Sequence, residues 1–185
     1  MKILVAYSSG YGTTREVAEE IKSVLSEDKS FVVDLQSIDD VEAIDAFDGV
    51  VLGSSVRAEH TMANMVDFLT RHRHELRDKP FALFLVCLSA NCETGREAVK
   101  NQYIPQLLQK YPVLKPIALE AFGGKIDFDR LNPVMKNLMR RVLEKSGLPT
   151  SGSVDTRDWD YIRQWAAALR QTLLNVPVEQ APSAD

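Results

Sequence analysis

Short apolar runs alternate along the chain with longer stretches whose apolar residues recur every three or four positions. Residues 3–7 (Ile-Leu-Val-Ala-Tyr) form an unbroken apolar run, the pattern of a strand covered on both faces. Val17, Ala18, Ile21, Val24 and Leu25 then follow helical spacing. Phe31, Val33 and Leu35 mark a second strand, and residues 49–52 a short third one that stops at Gly53-Ser54-Ser55. Met62, Met65, Val66, Leu69 and Leu76 give another helix. Residues 81–88 read as a central fourth strand closed by Ser89-Ala90-Asn91, and a helix over 95–110 leads to a fifth strand over 114–122. The last helix is predicted over 158–174, with Asp155 or Thr156 as its N-cap. Strands joined by helical crossovers predict an α/β fold, a doubly wound five-stranded parallel sheet.

One segment exceeds that plan, an insert over residues 125–155 between the fifth strand and the last helix. Leu131, Val134, Met135, Leu138, Met139 and Val142 share one helical face; Lys136, Asn137, Arg140 and Glu144 fall opposite, with Arg141 and Lys145 at the flanks. An apolar stripe of this kind is an extra helix packed on the domain, or a surface helix that docks at a membrane interface or rims an apolar pocket. Residues 1–175 are expected to form a single domain that carries the insert, and the Pro- and Ala-rich residues 176–185 a flexible tail.

Composition narrows the function classes. A net charge of −4 argues against a general nucleic-acid binder, which needs a strongly basic face. No secretory signal and no apolar stretch of the roughly 18–20 residues needed to span a bilayer is present, so a cytoplasmic protein is expected, with any membrane contact peripheral. The two cysteines, Cys87 and Cys92, are expected to be free thiols. Neither a CxxC nor an HExxH spacing occurs, so no metal site is expected.

The candidate chemistry begins directly after the first strand, at Ser8, Ser9, Gly10, Tyr11, Gly12, Thr13 and Thr14. A loop between the first strand and first helix of such a sheet sits where amide N–H groups and a helix N-terminus converge on an anion. Two glycines allow close approach, and the hydroxyls can donate to phosphate oxygens. No Lys-Ser/Thr follows the glycines, so a nucleoside triphosphate is not expected. The dinucleotide fingerprint matches only in part, because Arg15 stands where the third glycine belongs. A phospho-acceptor aspartate at the end of the third strand is missing too, since Gly53-Ser54 stands there. What remains is a neutral, hydroxyl-rich cradle for a monophosphate.

The stretch "YSSGYGTTREVAEEI" resembles the FMN-phosphate loop of the flavodoxin superfamily, Ser/Thr-x-x-Gly-x-Thr, with Ser9, Gly12 and Thr14 at the matching places. The resemblance implies strand order 2-1-3-4-5 and a flavin ring held between two more loops, here Ser54, Ser55, Val56 and Arg57 after the third strand and Leu88, Ser89, Ala90 and Asn91 after the fourth. "GSSVRAEH", the long insert and "DTRDW" resemble, within that superfamily, the quinone-dependent protoporphyrinogen oxidases of bacterial haem synthesis. That likeness implies an FMN-dependent oxidoreductase with a porphyrinogen substrate, a quinone acceptor and a membrane docking surface on the insert. "SANCETGREAVKNQY" carries fewer basic residues than that family shows.

Electron-carrying flavodoxins cover the ring with aromatic residues, whereas residues 54–60 and 89–95 contain none, which favours a face open to substrate. Val56-Arg57-Ala58 also lacks the small glycine that carriers place beside flavin N5. An NAD(P)H- or ferredoxin-linked quinone or flavin reductase and a plain electron carrier remain the alternatives. Arg57 could hold a substrate carboxylate or the flavin O2/N1 region, or pair with Glu59. His60 could shuttle a proton or merely start a helix in solvent. His72 and His74 are expected to be solvated, and Tyr11 to lean over the phosphate or ribose or only to cap the loop. No residue is assigned as catalytic acid or base, because a bound flavin carries the hydride chemistry itself.

Overall fold

The computed structural model describes residues 1–57, 60–145 and 147–176. Ala58, Glu59 and with it the expected Arg57–Glu59 pair, Ser146, residues 177–185 of the expected tail, and the side chains of Val142 and Lys145 lie outside the described residues.

Strands β1 (Lys2–Ser8), β2 (Val32–Ser37), β3 (Gly49–Arg57), β5 (Phe81–Val86) and β6 (Ala118–Phe122) form a parallel sheet in the order β2-β1-β3-β5-β6. This is the expected order; the numbering shifts because a short strand, β4 (His60–Thr61), folds back antiparallel on β3. Leu4, Ala6, Val50, Leu52, Leu83 and Leu85 point to one face, where α2 (Ala63–Arg71), α3 (Arg73–Asp78) and α4 (Glu93–Leu108) cover them. Ile3, Val5, Val51, Ala82, Phe84 and Val86 point to the other, beneath α1 (Thr13–Leu25) and α6 (Trp159–Leu174). Alternate residues of a strand face opposite ways, so burial on both faces is what makes these strands read as unbroken apolar runs.

The register positions the site. Ser8 lies opposite Ser54, and Ser55 opposite Val86, so β1 and β5 end level beside Ser54 and Ser55 of β3, which brings the loops after β1 and β5 and the last residues of β3 together at one edge of the sheet.

Four local expectations are corrected. The third strand does not stop at Gly53: it runs through Ser54, Ser55 and Val56 to Arg57, because the turn back to β4 pairs Val56 with Thr61 and Arg57 with His60. His60 is therefore an exposed strand residue and does not start a helix. The helix expected through Leu76 breaks at His72, which is 5% exposed and whose ring lies against Phe68 with centroids 4.5 Å apart, so of His72 and His74 the first is a core residue and only the second is exposed. The cap of α6 is Asp158, whose carboxylate accepts from the Tyr161 N–H at 3.0 Å.

The insert contains strands β7 (Lys125–Asp127) and β8 (Ser153–Asp155), an antiparallel pair too short to leave a periodic signal, with α5 (Pro133–Lys145) between them. It has a small core of its own, Phe128, Leu131, Leu143 and Val154, joined by Met135, Met139 and Leu88. The buried side of α5 is thus turned towards Leu143, which the expected stripe omitted. Val134 and Leu138, which the stripe included, are 77% and 48% exposed.

Candidate functional site

The loop after β1 is built around Gly12, which sits at φ 90° and ψ −16° as the N-cap of α1, a left-handed conformation that glycine adopts without steric cost. Its N–H donates to Ser9 Oγ at 3.0 Å, and its carbonyl accepts from the Glu16 N–H at 3.0 Å, so the loop runs directly into the helix. Not every hydroxyl predicted to meet a ligand is free to do so. Ser8 is buried and donates to Asn64 Oδ1, while the Asn64 amide donates to both Asp39 carboxylate oxygens at 2.9 and 3.0 Å. Thr13 Oγ1 donates to the Lys125 carbonyl at 3.4 Å, tying the loop to the insert. Thr14 is fully buried and its hydroxyl has no partner. Ser9, used only as an acceptor, keeps its own proton to donate.

The two flanking loops repeat this division. Ser54 Oγ donates to the Ser55 carbonyl at 3.1 Å and accepts from the Met62 N–H at 3.3 Å, whereas the buried Ser55 hydroxyl has no partner. Val56 packs on the core beneath α2 and α4, and Arg57 is exposed. In the loop after β5, Leu88 packs into the core of the insert and Ala90 into the main core, leaving Ser89 and Asn91 exposed at the edge. No described residue from 54 to 57 or from 88 to 91 is aromatic. Cys87 and Cys92 are free thiols, and hydrogen bonds from the Thr94 hydroxyl and the Gly95 N–H hold the Cys92 thiol below its ordinary value.

Arg157, which sequence reasoning did not single out individually, anchors the insert beside the phosphate loop. Its guanidinium is 4% exposed, meets Glu16 of α1 and Asp155 of β8 at 2.6 Å each, and lies 4.5 Å from the Trp159 ring centroid. No spacing rule links Glu16 to Arg157; only the meeting of α1 with the insert does. Between the phosphate loop and the insert is a cavity of about 270 Å³ lined by Tyr11, Thr13, Lys125 and Arg130 among others. A second cavity, of about 360 Å³, is bordered by His60, Val66, Tyr103 and Lys110. Neither cavity is lined by residues 54–57 or 88–91.

The donor set tests what this edge can hold. Two buried hydroxyls without partners, Thr14 and Ser55, stand at the first and second loops, where a buried donor normally finds an acceptor. A helix N-terminus with neutral hydroxyls suits a phosphate monoester, and two flanking loops at the carboxyl ends of parallel strands suit a flat ring. Fold and site together define an α/β flavin-mononucleotide protein. Residues 4–153 match the flavodoxin domain family, and the chain belongs to it. FMN is its cofactor, and the chain is a flavodoxin-like oxidoreductase.

Among curated relatives, the chain is 26% identical over 180 residues to the protoporphyrinogen IX dehydrogenase (quinone) of Leishmania major, covering 95% of this chain and 78% of that one. It is also 26% identical over 177 residues to the protein of the same name from Escherichia coli strain K12, covering 91% and 94%. Among solved structures, flavodoxin 1 of Bacillus cereus superposes with a TM-score of 0.56 at 18% identity, covering 96% of this chain and 99% of that one, a likeness of fold. Among the described residues, no helix is long and apolar enough to cross a membrane, and no cluster of acidic, histidine or cysteine side chains could hold a metal ion.

Proposed function

We propose that the chain dehydrogenates protoporphyrinogen IX and passes the electrons to a quinone, working in the cytoplasm at the inner face of a membrane. The observation that carries this reading is that residues 54–57 at the end of β3 and residues 88–91 after β5 include no aromatic side chain, which leaves a flavin held between them accessible to a substrate. Curated relatives of that name, aligned along nearly all of this chain, support the choice of substrate and acceptor. FMN, when bound, supplies the two-electron chemistry.

The chain's own part is to bind and orient. Ser9, Thr14 and Ser55 would hold the cofactor through hydroxyl donors, with the amides of residues 10–14 around the phosphate. Gly10, Tyr11 and Gly12 shape that nest, while Ser8 and Thr13 brace it from behind through Asn64 and Lys125. Ser54 and Val56, with Leu88, Ser89, Ala90 and Asn91, frame the ring, and Arg57 stands on the phosphate side of that frame. Arg57 and the exposed His60 sit opposite each other in the β3–β4 hairpin, as polar groups beside the open edge. Val134 and Leu138, one turn apart on the solvent side of α5 and close to exposed Arg141, give the insert an apolar and cationic surface for an anionic bilayer.

The test is turnover of FMN-loaded protein with protoporphyrinogen IX and a quinone under anaerobic conditions. Porphyrin fluorescence that rises only when quinone is present is the expected result. Turnover of quinone with NADPH but never with protoporphyrinogen would overturn the reading in favour of a reductase. Replacing Val134 and Leu138 together by serine tests the docking surface. The expected outcome is reduced sedimentation with anionic vesicles and slower turnover of vesicle-held quinone, at unchanged turnover of a water-soluble quinone. Equal turnover of vesicle-held quinone by the variant would count against docking through α5.

A further inference from the structure

The nest after β1 carries no charged side chain between Ser8 and Thr14, yet a phosphate monoester near neutral pH carries close to two negative charges. Backbone amides and a helix end offer only partial charge. The structure brings a full one from elsewhere. Arg57, at the far end of β3, turns back over the loop: its guanidinium carbon lies 4.6 Å from the Tyr11 ring centroid, and Nη2 donates to the Tyr11 hydroxyl at 3.3 Å. The same guanidinium lies against Gly10 so closely that a Cβ built there would collide with Nη1 and stand 3.3 Å from Cζ. Glycine at position 10 thus leaves room for the guanidinium where it lies; with a side chain there the exposed arginine tip would have to shift. Among the described residues, no carboxylate pairs with Arg57.

We propose that Arg57 is the counter-charge of the flavin phosphate, delivered across the edge from the ring loop and held in place by Tyr11 and Gly10. This assigns it to the phosphate end of the cofactor, away from both the flavin O2/N1 region and the substrate carboxylates. The contacts decide between those ends, because Arg57 meets Tyr11 and Gly10 of the phosphate loop, and among the described residues no hydrogen bond or ion pair joins it to the loop after β5. Arginine's planar fork suits phosphate oxygens, and the ring of Tyr11 presents the fork with no competing anion among the described residues. Selection of FMN over riboflavin follows, since riboflavin lacks the group that the cation meets. The proposal rests on FMN as the cofactor and is independent of which substrate is oxidised.

The test is titration of the cofactor-free protein with FMN and, separately, with riboflavin, read by quenching of flavin fluorescence at low and high salt. Arg57→Gln is expected to weaken FMN binding by about ten- to thirtyfold, the range for losing charge-assisted hydrogen bonds at a partly exposed site. Riboflavin affinity should stay within about twofold, and the salt dependence of FMN binding should flatten. Arg57→Lys should recover part of the loss, by restoring charge without the fork. A melting curve shows that the variant is folded, which the exposure of Arg57 favours. Equal losses for both flavins, or FMN binding with unchanged affinity and salt dependence, would overturn the proposal alone. Wild-type protein that binds neither flavin would overturn the cofactor assignment itself, and this proposal with it.

Discussion

Thr14→Val should weaken FMN binding by roughly ten- to a hundredfold and, in the same protein, raise the melting temperature of the cofactor-free form. Both effects come from one atom. Thr14 is fully buried in the first turn of α1, and its hydroxyl has no hydrogen-bond partner. A buried hydroxyl left unpaired costs about 1–3 kcal/mol in a folded protein, so removing it while keeping the side chain's shape relieves the cofactor-free state. At about 2–4 °C per kcal/mol for a chain of this size, the gain should be visible in a melting curve. In the proposed site the FMN phosphate would supply the missing acceptor, and a hydrogen bond to a charged oxygen contributes about 1.5–3 kcal/mol to binding. Fluorescence titration and calorimetry of the variant check the two halves. A variant that binds FMN as tightly as the wild type, or that melts lower without it, would show that Thr14 turns its hydroxyl to some other partner.

Arg157→Met should lower stability by about 2 kcal/mol and loosen the insert from the phosphate loop. Removing one member of a buried ion pair costs about 3–5 kcal/mol, but here both acids are partly exposed, at 47% for Glu16 and 37% for Asp155, so water takes up much of the loss. Methionine keeps the aliphatic volume and gives up the cation over Trp159. The pH dependence fixes the cause. The Arg157 side-chain hydrogen bond holds the Asp155 carboxyl below its ordinary value. A carboxyl depressed by folding stabilises the native state above its unfolded pKa of about 4, and that contribution disappears as pH falls through the lower folded value. The stability gap between wild type and Arg157→Met should therefore be full near pH ~7 and shrink in acid, below pH ~4. Urea unfolding across that range measures it; a gap that stays constant with pH would mean that packing on Trp159, and not the Asp155 pair, is what Arg157 contributes.

The parts of this protein legible in sequence are those whose cause is local. Ile3, Leu4, Val5 and Ala6 are all fully buried because the two faces of β1 are both covered, and an unbroken apolar run records that directly. The helical stripe of α1 appears with its buried members Val17, Ala18, Ile21, Val24 and Leu25 in place. Gly12 announces its turn because few other residues tolerate its backbone angles. Misreadings fall where a partner distant in sequence, or a very short element, takes over. The loop after the third strand became strand because β4 supplied hydrogen bonds, and His72 left solvent because Phe68 and the break between α2 and α3 folded it inward. On α5, periodicity found an apolar face but could not choose which edge of it would meet Leu131 and Val154.

The same division holds within the site. Sequence by itself determined the succession of the five parallel strands with their crossover helices and the hydroxyl-rich loop at the end of the first strand, because spacing and residue type act over a few positions. It could not determine which hydroxyls are free for a ligand. Ser8 and Thr14 look alike in the chain, yet one donates to Asn64 and the other has no partner. Nor could it place Arg57 over Gly10 or Arg157 between Glu16 and Asp155. The Arg57–Gly10 and Arg157–Glu16 contacts join residues 47 and 141 positions apart, and only the assembled fold, which sets β1 beside β3 and the insert beside α1, brings the charges to the loop.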